Sequence, residues 1–182
     1  MTWLDTLLQR WRMRMAIRQL PSPATLLDIG THDGLMFRLT GATGLGIDPG
    51  LAVPEQADGQ ITLVKGFFPS DLPDLEEGVF DAATALAVVE HVPDGQLDEW
   101  ADALARLIKP GGAVIITVPA PAVDQILHVL MKLRLVAGME AHQHHGFEPG
   151  DLDSIFTPPT WKRRRHRRFQ LGLNHLFVFE RV

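Results

Sequence analysis

Five short apolar runs, "ATLLDIG", "GLGIDPG", "QITLVKG", "FDAATALA" and "AVIITVP", are spread over residues 24–119 with helical patterns between them. Runs this short, apolar without strict alternation, suit strands covered on both faces. Strands interleaved with helices predict a doubly wound α/β domain with a mostly parallel sheet. The intervening helices are read at "GLMFRLTG" and at "DGQLDEWADALARLIKPGG", the second stopped by Pro110 and Gly111. The closing stretch "FQLGLNHLFVFERV" breaks at Gly172–Asn174 and reads as an antiparallel hairpin, giving seven strands in all. A length of 182 residues suits one domain over 1–182.

The segment before the first strand, "WLDTLLQRWRMRMAIRQL", reads as an amphipathic helix within residues 1–20, ended by Pro21 and Pro23. Leu4, Leu8, Trp11 and Met15 form one stripe with Leu7 beside it, and Arg10, Arg14 and Arg18 line another. The plain expectation is a helix packed on the domain by its apolar stripe. The sharper one is a basic helix in peripheral contact with an anionic membrane.

Charge is segregated. Residues 22–160 carry 20 acidic and 6 basic side chains, while the two flanks carry 2 acidic and 11 basic. Basic ends on an acidic domain point to an anionic partner at the ends. The run "WKRRRHRR" puts six Lys or Arg into residues 162–168. As a strand it would send alternate charges to opposite faces, and a solvated sheet edge is the preferred reading. Trp161 and Phe169 flank the run, but no RNA-binding module accompanies it, so nucleic acid is the weaker alternative to an anionic lipid or phosphorylated metabolite.

Cysteine is absent, which excludes disulfides, a thiolate nucleophile and a Cys-type zinc site. No apolar run approaches the ~18 residues of a membrane span, and no signal-peptide pattern is read, so the expectation is a soluble cytoplasmic domain. "AHQHHGF" places imidazoles at His142, His144 and His145, but a solvated or substrate-facing loop is preferred there over a metal site.

In an open parallel sheet, ligands bind beyond the carboxyl ends of the strands. Gly30–Gly34 follows the first strand, where glycine allows close backbone approach and the next helix offers free N–H groups. Asp48 ends the second strand, 18 residues past Gly30, and suits the hydroxyls of a ribose. Gly66 ends the third, with Phe67 and Phe68 as an aromatic wall for an adenine. An adenosine-containing cofactor follows. Gly30-Thr31-His32-Asp33-Gly34 lacks the second and third glycines of a dinucleotide fingerprint, and Asp28 just before it would repel a pyrophosphate. A cationic ligand fits better.

Taken together, "LLDIGTHDG", "GLGIDPG", "FDAATALAVVEHVPD" and "LIKPGGAVIITVP", in that order and spacing, resemble the class I S-adenosylmethionine-dependent methyltransferases of the broad small-molecule type. The resemblance covers residues 24–120 well and continues weakly through "HHGFEPGDLDSIF" and "NHLFVFERV". It implies a Rossmann-like fold and S-adenosyl-L-methionine as cofactor. Asp28, Gly30, Thr31, His32 and Gly34 would hold its methionyl end, Asp48 with Pro49 its ribose, and Gly66 with Phe67 its adenine. Leu86 and Ala87 would approach the methionine part through the main chain. His32 stands where many relatives have glycine, and no aspartate stands near Phe67 for the adenine amino group. Residues 121–147, apolar at helical spacing, would form the pocket for a small or lipid-like acceptor with an oxygen or nitrogen nucleophile.

Methyl transfer from a sulfonium asks mainly for alignment, with a base only if the nucleophile must lose a proton. His91 and His145 are the candidates for that base or for orienting the acceptor. Two other readings stay open: a methyltransferase-like binding module without activity, and an RNA methyltransferase that uses the basic flanks.

Overall fold

A computed structural model describes residues 3–52, 56–57, 59–93, 95–120 and 148–182. The expected acceptor-pocket insertion, with His142, His144 and His145, lies outside the described residues. The chain runs α1 (Trp3–Ile17), β1 (Thr25–Ile29), α2 (Leu35–Thr40), β2 (Thr43–Ile47), β3 (Gln56–Ala57), β4 (Ile61–Val64) and β5 (Phe80–Leu86). It continues through a 3₁₀ turn (Val89–His91), α3 (Leu97–Leu107), β6 (Ile108–Pro119), α4 (Leu152–Ile155), β7 (Trp161–Phe169) and β8 (Asn174–Arg181).

The strands form one sheet in the order β3-β4-β2-β1-β5-β6-β8-β7. The five central strands, β4, β2, β1, β5 and β6, are parallel, and β8 and β7 add antiparallel. This is the expected seven-stranded, Rossmann-like α/β sheet, widened at one edge by the two-residue antiparallel β3. From β1 the strands are added outward to one side (β2, β4) and then, from β5, to the other. This switch of strand order between the parallel β1 and β5 opens a crevice at their carboxyl ends.

Each face of the sheet has its own core. On one, Leu27, Ile29, Ala83, Val114, Ile116, Phe177 and Phe179 pack under Trp100, Leu104 and Leu107 of α3. The buried residues of α3 (97, 100, 101, 104, 107) recur at the three- and four-residue spacing of a helix with one face on a sheet. On the other, Leu26, Ala82, Ile115, Leu176 and Val178 pack under Met13, Met15 and Ala16 of α1.

Three sequence expectations shift. The first strand of the terminal hairpin is the basic run itself, Trp161–Phe169, buried only at its two ends, and the turn is at Gln170–Gly172. An edge strand exposes its residues whatever their polarity, so no apolar pattern marked it. Helix α3 ends at Leu107, and Lys109–Gly112 already belongs to β6 as an irregularity between the Phe80–Ile108 and Ala82–Ala113 pairs. In α1 the buried face is centred on Met13 and Ala16, whereas Leu7 and Trp11 are 52% and 43% exposed. Fully buried Ala16 lets the helix axis approach the sheet closely, which turns Trp11 outward. Among the described residues no helix is long and apolar enough to cross a membrane.

Candidate active site

Strand β1 brings Asp28 to the centre of the sheet, level with Gly46 of β2 and Thr84 of β5. Its carboxylate is only 5% exposed and accepts the Thr84 hydroxyl at 2.5 Å. Burial pushes this carboxyl up to about 6, and the charge of Asp48 adds to the rise. The Thr84 and Thr31 hydroxyls pull the other way. Thr31 Oγ1 is itself buried, without a full hydrogen bond among the described residues.

The turn after β1 is held against its neighbours rather than left open. Gly30 N–H donates to Ile47 O at 2.8 Å, His32 N–H to Asp48 Oδ2 at 2.9 Å, and Gly34 N–H to Thr31 O at 3.0 Å. Leu35 N–H is taken by Asp33 Oδ1 at 3.2 Å. The free donors expected at the start of α2 are therefore largely satisfied inside the protein. Gly30 (φ 77°) is required twice over: the backbone is left-handed, and a Cβ would lie 2.4 Å from Val88 Cγ2 in the loop after β5. His32 holds φ 55° with an exposed side chain, so it stands clear of the crevice wall.

Asp48 follows β2 and is half-buried. Its Oδ1 accepts Gly50 N–H at 2.6 Å and its Oδ2 accepts His32 N–H, leaving each oxygen one lone pair for a diol. Pro49 is exposed beside it. Gly66 after β4 donates its N–H to Asp48 O at 3.3 Å, which joins the ends of β2 and β4. Phe67 is 65% exposed and free to flank a ring. Phe68, expected to share that wall, is instead core, edge-on to Trp100 at 4.9 Å. An acid does stand near Phe67: Asp71 folds back, its Oδ2 accepting Phe67 N–H at 2.7 Å.

After β5, Leu86 is half-buried and Ala87 takes φ 59°, its N–H bonded to Thr117 O at 2.9 Å. The 3₁₀ turn then exposes His91. The group the sequence reading missed is the neighbour of His91. Glu90 is 5% exposed, its Oε2 has no hydrogen-bond partner among the described residues, and burial pushes its carboxyl up to about 7. The Arg12 guanidinium of α1 draws it back down, and Arg12 Nε is likewise buried and unpartnered. Nothing in "VVEHV" distinguishes Glu90 from a surface acid. The structure thus gathers Asp28, Gly30, Thr31, Gly34, Asp48, Gly66, Phe67, Leu86, Ala87 and His91 along the ends of four adjacent strands, while His145 lies outside the described residues.

This arrangement is acid-rich, with two buried carboxyls whose pKa values burial raises, an open diol acceptor and an exposed aromatic ring. Such a lining favours a ligand that carries a cation and a sugar over one that carries phosphate.

Comparison with known proteins identifies the family. A family model described as a methyltransferase domain matches residues 2–167. A ubiquinone biosynthesis O-methyltransferase of Alkalilimnicola ehrlichii is 37% identical over 105 residues. That match spans 50% of this chain but only 39% of the relative. Among solved structures, an S-adenosylmethionine-dependent methyltransferase of Archaeoglobus fulgidus has a TM-score of 0.68 at 16% identity, over 96% of this chain and 93% of its own. The Burkholderia thailandensis 1,6-didemethyltoxoflavin-N1-methyltransferase, solved with S-adenosylhomocysteine, has a TM-score of 0.67 at 16% identity, over 99% and 80% of the two chains.

Proposed function

The chain belongs to the methyltransferase-domain family, and from that premise we propose that it binds S-adenosyl-L-methionine in the β1–β5 crevice and methylates a small or lipid-like acceptor. The observation that carries this is the buried Asp28 carboxyl, whose raised pKa fits a site that takes up a cation.

Asp28 and the Gly30–Gly34 turn hold the methionyl end, a positive ammonium drawing Asp28 into its charged form. Asp48 accepts the ribose hydroxyls with the lone pairs its backbone contacts leave. Phe67 covers the adenine, and Leu86 and Ala87 line the methionine part through the main chain. When bound, the cofactor would supply a methyl group already activated by its sulfonium, for transfer to an oxygen or nitrogen of the acceptor, which gives up its proton as the new bond forms and S-adenosylhomocysteine is released. His91, exposed beside the crevice, receives that proton or orients the acceptor, a role shared in this proposal with His145. Glu90 anchors α1 through Arg12 and can hold a proton on Oε2 near neutral pH.

Titration calorimetry with S-adenosylhomocysteine tests the reading. Saturable one-site binding is expected, and a screen with methyl-labelled cofactor then identifies the acceptor. Absence of any heat of binding in the correctly folded protein would sink it.

A further inference from the structure

The outward face of α1 carries Leu7, Arg10, Trp11, Arg14 and Arg18, each exposed except for the half-sheltered flanks of the two apolar residues. Leu7, Trp11 and Met15 recur every four residues, and so do Arg10, Arg14 and Arg18, offset by three, so apolar and basic rows run side by side. Together these six side chains border a hollow of about 450 Å³ against the helix. Among the described residues none of the three arginines has an ion-pair partner, in contrast to Arg38, Lys109, Arg163 and Arg164.

Strand β7 extends the same surface. Arg167 is opposite Leu176 and Arg165 is opposite Val178, and both partners belong to the core under α1. Directly paired residues share a face, so Arg165 and Arg167 lie on the α1 side of the sheet. The hairpin turn is tied to the helix, since Gln170 Nε2 donates to Leu8 O at 2.7 Å. Two basic segments far apart in sequence therefore come to one side of the molecule.

We propose that this side, the outward face of α1 with Arg165 and Arg167, docks on an anionic lipid bilayer. The charge of the face is complementary to lipid phosphates, and the acidic body of the domain makes the segregation specific to it. An exposed Trp and Leu between arginines match the two layers of a membrane interface: the cations remain with the headgroups while the indole and the isobutyl group enter the acyl boundary.

Co-sedimentation with vesicles of phosphatidylcholine alone or with one-third phosphatidylglycerol tests this on the full chain. Binding to the anionic vesicles is expected, weakening as sodium chloride rises. Combined Arg10→Gln, Arg14→Gln and Arg18→Gln should lower it about a hundredfold, and these exposed changes leave the core intact. With Trp3→Phe as the background, brominated lipid should quench tryptophan emission more than in Trp3→Phe/Trp11→Phe, because the remaining Trp100 and Trp161 are 5% and 2% exposed and out of reach. Equal partition to neutral and anionic vesicles, or unchanged binding in the triple variant, would overturn the proposal. So would tighter salt-dependent binding to an RNA oligonucleotide, or a solution dimer in which Trp11 is protected without lipid.

Discussion

Asp48 Oδ2 accepts the backbone N–H of His32 at 2.9 Å, so one carboxylate at the end of β2 fixes the turn that follows β1. The proposed ribose ligand is thereby also the brace of the methionyl turn. Asp48→Ala should abolish S-adenosylhomocysteine binding in calorimetry and lower Tm by several degrees, since removing an acceptor from two backbone donors costs about 1–3 kcal/mol. Asp48→Asn, which keeps one oxygen, should lose about half as much Tm. Full affinity in either variant would remove Asp48 from the site.

The Asp28 carboxyl sits near pH 6 in the folded protein against 3.8 as its ordinary value. Between those values the folded state holds more protons than the unfolded one, so this group's contribution to stability falls as pH rises through the window. Asp28→Asn, which keeps the acceptor for Thr84, should therefore be more stable than the parent at pH 7.5, by roughly 2–3 kcal/mol in urea titrations. Cofactor affinity should rise with pH through about 6 in the parent and be weak and flat in the variant. A destabilised Asp28→Asn would show that the buried charge is better compensated than this.

Gly30 is fixed by both its left-handed φ and its contact with Val88, and the two causes separate in a double-mutant cycle. Gly30→Ala should cost about 2–4 kcal/mol, from the strained backbone together with the collision. In a Val88→Ala background the collision disappears and the cost should fall to the backbone strain alone, about 1–2 kcal/mol. Equal costs in the two backgrounds would mean that the loop after β5 moves aside freely.

On the outer hairpin His166 Nε2 and His175 Nδ1 meet at 2.9 Å, and His166 stacks on Phe177 at 4.1 Å. Burial lowers the pKa of both rings, with Arg163 and Arg168 adding to it for His166 and His166 and Arg168 for His175. The folded state binds fewer protons than the unfolded one below about 6.5, so this pair's stabilisation is present above that pH and lost as pH falls. His166→Phe keeps the stack on Phe177 and should show a smaller drop in Tm than the parent between pH 7.5 and 5. An identical pH dependence would place the acid sensitivity elsewhere.

The parallel core was legible because its strands are apolar on both faces and end at Asp28, Asp48 and Gly66, residues whose type follows from their place at a strand's carboxyl end. Features that depend on contacts between distant segments were not. Glu90 is a buried acid whose charge partner, Arg12, stands 78 positions earlier in the sequence. The facing of α1 turned on the fit of Ala16 against the sheet, and periodicity alone could not separate Trp11 from Met13. Strand β7 gave no apolar signal because an edge strand has little to bury. Phe68 could not be told from Phe67 until Trp100 was seen to cover it.

Strand β8 comes last of the strands in sequence yet lies between β6 and β7 in space. Without β8, β6 has an open edge and the arginine strand has nothing to pair with. Both edges are completed by the same segment, Asn174–Arg181, which pairs with β6 on one side and β7 on the other. Until β8 is in place both strands are open to wrong strand partners, and the like charges crowded on β7 keep the arginine strands of two copies from pairing with one another.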